Sequence, residues 1–539
     1  MTGFEHALWL LLLTTALSVI GRWLPWPQPI TYVVGALLVG LSPVFPRIEL
    51  EPEFFFLCFV PPLLFSDGWL MPLREFTKAR RPILILSIGL VLFTTVTVGY
   101  AAHWLIPGLP LAMAFALGAI VSPTDAVAVG AITDRLKIPS RLSIVLKGES
   151  LMNDATGLVA FKLALAALVA GTFSLRAATL DFTLLAGIGF GTGLAVAYLV
   201  GRIRDLLRHL RGSDPFIETT VSLMTPYAAY LIAGAFGGSS ILAVVAAGLY
   251  SGWRDPVHMD VQSRQTSWTV WATVLFWLNG LAFVLLGLQF PDIYHSVNHL
   301  YSPGKLVLFT AVISFIVIVG RLAWVFPGAY LPYFMSAKIR HKEPRPAWQG
   351  VLVGGWAGMR GTITLAAALS IPLWQDNGNP FPARELVIFL SFGVIVVTLL
   401  LQGTTLEWLI CRLGLRADGT QQKEDRLARI AAVEAGLKVL TDDQNAAATP
   451  EESAALGKVV SEYETRLAEL VADGETRENA RVHRSASRAH RLKALRAERA
   501  ALDDLWRTNV ITDHTHRPLL QLLDHEESML SDNPESADV

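Results

Sequence analysis

Between residues 6 and 411 the chain alternates long apolar stretches with short polar connectors, and the stretches are of bilayer length. About 20 predominantly apolar residues in a helix span the hydrocarbon layer, with Gly and Pro tolerated where neighbouring helices satisfy the backbone. Such runs fall at 6-23, 29-45, 53-70, 82-105, 110-132, 143-171, 181-201, 216-234, 239-253, 268-290, 304-328, 348-372 and 385-411. The pattern predicts an all-α polytopic membrane protein with 13 transmembrane helices. From Leu413 the pattern changes to polar, Ala-, Glu- and Arg-rich sequence with helical periodicity, broken near Thr441 to Pro450 and at Asn533 to Pro534. It predicts two or three amphipathic helices, hence a membrane domain over 1-412 and a soluble helical tail over 413-539.

The connectors orient the spans. Arg74, Lys78, Arg80 and Arg81, then Arg135, Lys137 and Arg141, then Arg202, Arg204, Arg208 and Arg211, then Arg254 and Arg264, then Lys338, Arg340, Lys342 and Arg345 lie on alternate connectors. The opposite side shows Arg47, Arg176, Lys305 and Arg384. With Arg22, Arg412 and Arg416 the balance is roughly twenty against about four, which predicts an outward N-terminus and a cytoplasmic tail. Glu5 and His6 stand where a signal peptide would be basic, so the first span is expected to be retained.

Two spans carry interruptions. Span 110-132 is broken by Ser122, Pro123 and Thr124, next to Asp125, and span 348-372 by Gly354, Gly355, Gly358 and Gly361, around Arg360. Paired broken helices in two halves of a chain point to the binding site of a transporter built from inverted repeats. Unwinding brings half-helix ends together, where Asp125 suits the positive end and Arg360 the negative one.

Composition agrees: 53% of residues are hydrophobic and 17% charged, unlike a soluble domain. The net charge of -1 averages two unlike regions and identifies no partner. The two cysteines, Cys58 and Cys411, sit alone in apolar segments and read as small buried residues rather than as a disulfide or a metal site.

The chemistry concentrates in span 143-171, which holds Glu149, Ser150, Asn153 and Asp154 at membrane depth. Ionisable residues there are costly and mark ion or proton pathways. Each residue turns a helix by about 100°, so Ser150 and Asp154 share one face and Glu149 and Asn153 an adjoining one. Asp154 and Ser150 are expected to face the crevice where a cation binds. Glu149 needs an intramembrane cation as partner, with Arg321 first and Arg360 second. A hard monovalent cation such as Na⁺ takes oxygen ligands, which Asp154, Ser150, Thr124 and the main chain around Asp125 supply. A carboxylate that holds either a cation or a proton exchanges one for the other. A passive cation channel would need a continuous pore with several weak sites. An intramembrane hydrolase using Asp125 and Asp154 would need a coupled acid pair. Both are weaker readings of this pattern.

Four strings, PPLLFSDGW (Pro61 to Trp69), SPTDAVAV (Ser122 to Val129), GESLMNDATGLV (Gly148 to Val159) and GWAGMRGTITLA (Gly355 to Ala366), together resemble the monovalent cation/proton antiporter-1 family, the sodium/proton exchangers, especially its bacterial members. The resemblance implies a homodimer with a dimerisation domain and a moving core domain in the plasma membrane, an elevator-like cycle, and no cofactor beyond transported Na⁺ and H⁺. It implies that Asp154 carries cation or proton, that Ser150, Thr124 and the Asp125 segment help to coordinate, that Glu149 pairs with Arg321, and that Arg360 belongs to the second broken helix. The pair Asn153 and Asp154 implies electroneutral exchange. One departure is the string after Pro61 and Pro62: where many members have an acid, this chain has Ser66, and the acid follows as Asp67. A shift of one residue rotates the side chain by about 100°, so whether Asp67 reaches the ion stays open.

In the tail, Arg477, Arg481, Arg484, Arg488 and Arg491 recur along one helix face ahead of an apolar stripe of Leu492, Leu495, Leu502 and Leu505. A regulatory or dimer-stabilising domain touching anionic lipid and a plain solvated helical face are both compatible with this. His483, His490, His514, His516 and His525 are candidate pH sensors or ordinary surface residues. No Walker-type, nucleotide-binding or catalytic-triad pattern stands in the tail, and no nucleic-acid partner is expected.

Overall fold

A computed structural model describes residues 3-42, 52-136, 138-170, 175-342, 345-374, 380-415, 420-446, 449-472, 474-508 and 510-531. Among the described residues the architecture is helical, with one isolated β-bridge between Trp374 and Pro380. The chain divides into two compact units, Met1–Ala417 and Asp418–Val539.

The first unit opens with α1 (Gly3–Gly21) and α2 (Gln28–Gly40). The run at 53-70 folds as two pieces, α3 (Pro52–Cys58) and α4 (Val60–Trp69), an interruption the periodicity did not announce. Pro61 and Pro62 explain it: they lack the N–H groups that would bond back across the junction, and proline is tolerated in a first turn. A short α5 (Leu73–Lys78) leads to α6 (Arg80–Leu84), which runs through a π-helical turn at Ile85–Leu90 into α7 (Val91–Leu105). The indole N–H of Trp324 donates to the carbonyl of Ile85 at 3.2 Å, a partner for backbone that the π turn displaces.

α8 (Leu111–Ile120) stops before Ser122, Pro123 and Thr124, and α9 (Ala126–Leu136) starts after Asp125, where the sequence places the break. α10 (Ser140–Ala170), α11 (Leu175–Arg211), α12 (Pro215–Ala235), α13 (Ser240–His258) and α14 (Val261–Leu288) follow, then α15 (Phe290–Val297), α16 (Pro303–Met335) and a short α17 (Ala337–Lys342). The second interruption separates α18 (Trp348–Trp356) from α19 (Thr362–Leu369), and α20 (Arg384–Arg412) ends the unit. Among the described residues, six helical stretches, Arg80–Leu105, Ser140–Val169, Thr179–Leu210, Val261–Val297, Pro303–Met335 and Arg384–Arg412, are long and apolar enough to cross a membrane. The other apolar runs form shorter or interrupted helices.

Small residues set the closest packing. A Cβ on Gly248 or Gly252 of α13 would collide with the backbone carbonyls of Phe65 and Trp69, so α4 lies with its backbone directly on α13. Trp69 is also held from the side: its indole N–H donates to Asp255 at 3.2 Å, and Asp255 pairs with Arg204 of α11 at 2.9 Å. Large apolar side chains such as Trp104, Phe315 and Leu199 are exposed on the outside, as lipid-facing helices require. Cys411, expected to be buried, is exposed, because it lies on the outer side of α20; Cys58 is half-buried.

Among its described residues the second unit has four helices rather than two or three: α21 (Thr420–Ala446), α22 (Pro450–Val471), α23 (Gly474–Arg507) and α24 (Asp513–Ser531). Additional boundaries lie near Ala472 and between Thr508 and Asp513, in polar sequence where apolar periodicity marks no end. α21 packs on α22 and α23 on α24. Arg426 donates to the carbonyls of Leu470, Val471 and Ala472 and so closes the end of α22. His516 lies 2.9 Å from Asp503 and stacks on Trp506. The side chains of Arg477, Arg481, Arg484 and His483, and the break expected at Asn533 to Pro534, lie outside the described residues.

Candidate functional site

The two interruptions meet. The backbone N–H of Asp125 donates to the carbonyl of Met359 at 2.8 Å, so the extended segments between α8 and α9 and between α18 and α19 cross in contact. Each charge serves a helix end. The Asp125 carboxylate accepts the N–H of Val127 at 2.8 Å in the first turn of α9, the favourable position for an anion. Arg360, fully buried, donates from Nε to the carbonyl of Val121 at 2.8 Å just beyond α8, and from Nη1 to the carbonyl of Gly358. Its own N–H is received by the Thr398 hydroxyl of α20 at 3.2 Å. The glycines are required by contact: a Cβ on Gly361 would overlap the Asp125 carboxylate, and one on Gly358 would overlap the Arg321 side chain.

Thr124 joins this crossing to α10. Asn153 Nδ2 donates to its hydroxyl at 2.7 Å, Ser150 Oγ lies at 3.1 Å, and Thr124 Oγ1 lies 3.4 Å from Glu149 Oε1. Glu149 and Arg321 form a two-pronged ion pair, with Nη1 on Oε1 and Nη2 at 2.9 Å from Oε2. Arg321 also donates to the carbonyl of Gly354 at 3.0 Å, so it ties α10, α16 and α18 together. Both partners are 1% exposed or less. Arg360 therefore is not the partner of Glu149; it holds backbone.

Asp154 opens onto a cavity of about 30 Å³, room for about two water molecules. Its wall comes from two sides: Leu63, Leu64 and Asp67 of α4 with Asn279 and Phe283 of α14, against Pro123 to Val127, Asp154, and Gly361 to Thr364. Asp67 thus lies on the same cavity as Asp125 and Asp154, while Ser66 turns its hydroxyl back to the carbonyl of Leu63. Ser150 departs from the expectation. It bonds to Thr124 and is not among the lining residues, because Thr124 stands between it and the cavity. Asn279, Thr362 and Thr364 also line the cavity and were not singled out by sequence. A lone amide or hydroxyl in an apolar helix carries no charge to flag it. Among the described residues, no group of three or more His, Cys, Asp or Glu converges to hold one metal ion.

Two interrupted helices crossing beside a buried carboxylate, with six membrane-length helices among the described residues, define a membrane ion transporter. The comparisons give the family. Residues 9–412 match the sodium/hydrogen exchanger transmembrane family, and this chain belongs to it: a family of cation/proton antiporters, transporters rather than enzymes.

The chain is 40% identical over 414 residues to the sodium, potassium, lithium and rubidium/H⁺ antiporter of Bacillus pumilus, a match that covers 76% of this chain and 61% of that relative's length. It is 35% identical over 543 residues to the antiporter of the same description from Bacillus subtilis, covering 99% and 79%. With the Na⁺/H⁺ exchanger YjcE of Escherichia coli it shares 36% identity over 551 residues, covering 98% and 99%. The fold is similar to that of the sodium proton antiporter MjNhaP1 of Methanocaldococcus jannaschii, with a TM-score of 0.60 at 19% identity over 76% of this chain and 98% of that one.

Proposed function

We propose that this protein exchanges Na⁺, and Li⁺ or K⁺ as further cargo, for H⁺ by competition of cation and proton for Asp154. The observation that carries this reading is the grouping of Asp154, Asp125 and Asp67 around one small cavity at the crossing of the interrupted helices. The descriptions of the Bacillus relatives support the breadth of cargo. A cation entering the cavity exchanges hydration water for Asp154, Thr124 and backbone oxygens near Asp125. Ser150 and Asn153 hold Thr124 in place, and the Glu149–Arg321 pair and Arg360 keep the surrounding backbone fixed. Either ligand neutralises Asp154, so the site crosses loaded in both directions.

The divided wall supports an elevator-type cycle. α10, the extended segment ahead of α9 and the start of α19 with Gly361 before it carry Asp154, Asp125 and Gly361 to Thr364, and they move against α4 and α14, exposing the cavity to one side at a time. In this reading residues 1-412 form the exchange domain, built from 13 spans and inverted repeats, in a plasma-membrane homodimer. The N-terminus is outside and the tail, 413-539, is cytoplasmic and regulatory.

The test is Na⁺-driven proton movement in proteoliposomes, comparing wild type with Asp154→Asn. Exchange is expected in wild type and absent in an inserted, folded variant. Coupled exchange retained by the variant would remove Asp154 from the mechanism.

A further inference from the structure

We infer that Asn279 of α14 is a neutral ligand of the transported cation and sets the affinity for cation independently of the proton. The inference rests on the exchange reading above and assigns a residue outside the charged motifs. Asn279 lines the cavity with Asp67, Asp125 and Asp154, from the α14 side.

Its amide is free for this. Among the described residues no protein group hydrogen-bonds the Asn279 side chain, whereas Asn153, the other amide of the site, is engaged by Thr124. A half-buried amide without a protein partner needs a ligand or water to satisfy it. The helix cannot turn the residue away. On the adjoining face of α14 a Cβ on Gly280 would lie 2.6 Å from the Thr14 side chain, and one on Gly287 would collide with the carbonyl of Val33, so α14 is packed backbone-close on the first two helices. Phe283, one turn along, lines the same cavity and is itself buried, which fixes the face that carries Asn279.

The chemistry divides the labour. A carboxylate takes cation or proton, but a carboxamide oxygen does not titrate in the working range and remains a hard oxygen ligand. Asn279 therefore adds to cation binding and nothing to proton binding, and so biases the competition at Asp154. Because α14 is not among the helices that move in the proposed cycle, Asn279 completes the cation's shell only while the moving helices hold Asp154 beside it.

The experiment reads cation dependence in two ways on the full-length protein. Exchange is measured in proteoliposomes over a range of Na⁺, Li⁺ and K⁺ concentrations, and thermal unfolding in detergent is measured over the same range at alkaline pH, where protons do not compete. Asn279→Leu should raise KM for cation about tenfold or more, the scale of one ligand to a charge, with maximal rate retained. The cation concentration giving half-maximal thermal protection should rise in step. Asn279→Asp should restore or tighten cation affinity by returning an oxygen, with a changed pH profile because it adds a titrating group. Should Asn279→Leu not fold, Asn279→Ala gives the same comparison.

Unchanged KM and unchanged thermal protection in the folded variant would overturn the assignment, as would a fall in maximal rate alone, which marks a packing role. Wild type keeps the two readings apart. Thermal protection by cation that depends on Asn279, without any coupled exchange, would uphold the ligand and sink the antiport. Absence of both in wild type would overturn both.

Discussion

Thr124 shows how one hydroxyl organises the site, since Asn153, Ser150 and Glu149 all reach it. Beyond it, Arg321 is fully buried and its charge is matched by Glu149 alone among nearby carboxylates that bond to it. Breaking such a pair by removing one partner costs about 3–5 kcal/mol because the other charge is left buried. Glu149→Ala is accordingly expected to lower thermal stability in detergent markedly, and an unchanged melting temperature would contradict the pairing. Gly361→Ala acts on geometry instead. Its methyl group would overlap the Asp125 carboxylate, and overpacking of this kind costs about 1–3 kcal/mol. Exchange should be lost or strongly reduced while the variant still inserts; wild-type rates would show that the crossing is looser than the contacts indicate. Asp125, Asp154 and Arg360 were legible in the sequence because a charge in an apolar run has no cheap explanation. Asn279, Thr362 and Thr364 were not, because uncharged groups there usually satisfy themselves on the helix backbone. Helical spacing placed Ser150 on the face of Asp154, yet it could not show that Thr124, from another helix, would stand in front of it.

At the scale of elements, the breaks are what the sequence announced best. Pro123 and the glycines around Arg360 interrupt α8–α9 and α18–α19 where expected, and the structure adds that the two breaks touch. The break between α3 and α4 is silent in the sequence because two prolines in a first turn look like any membrane helix start. α4 matters because it presents Asp67 from a seat on the glycines of α13, pinned by Trp69 to Asp255 and Arg204. A hydrogen bond to a charged group contributes about 1.5–3 kcal/mol. Trp69→Phe should therefore destabilise the protein by an amount of this order and loosen Asp67, raising KM for cation more than it lowers the maximal rate. Equal stability of variant and wild type would show that the glycine contact alone holds α4. Asp260, ahead of α14, gives a pH-dependent contribution. Hydrogen bonds from the Ser213 and Ser263 hydroxyls bring its carboxyl down from 3.8 to about 2. A depressed carboxyl stabilises above its unfolded value and loses that contribution as pH falls through its folded one. Between about pH 4 and about pH 2 the wild type should lose stability that Asp260→Asn never had; parallel melting curves across that window would refute the link.

The whole molecule adds a constraint on charge that no single residue shows. The net charge of -1 conceals a membrane domain whose buried charges nearly cancel by pairs. Glu149 is matched by Arg321 in direct contact, and Asp125 and Arg360 sit at opposite helix ends of one crossing. On the side of the cavity wall that moves in the proposed cycle, Asp154 is then the charge left over. In the proposed exchange Na⁺ neutralises it in one direction and H⁺ in the other, so the loaded site would carry no net charge either way. Asp67 belongs to α4, which in the proposed cycle does not travel with Asp154. Transport of this kind is blind to voltage, since moving one elementary charge through 100 mV is worth about 2.3 kcal/mol and no such charge moves. In proteoliposomes with the membrane potential set by K⁺ and valinomycin, the rate of Na⁺-driven proton movement should be the same at zero and at about 100 mV of either sign. A rate that follows the potential would mean that one of the paired charges separates from its partner during the cycle. The Asp125 and Arg360 pairing is the one to examine first, because it is held through backbone groups at the crossing rather than by direct contact.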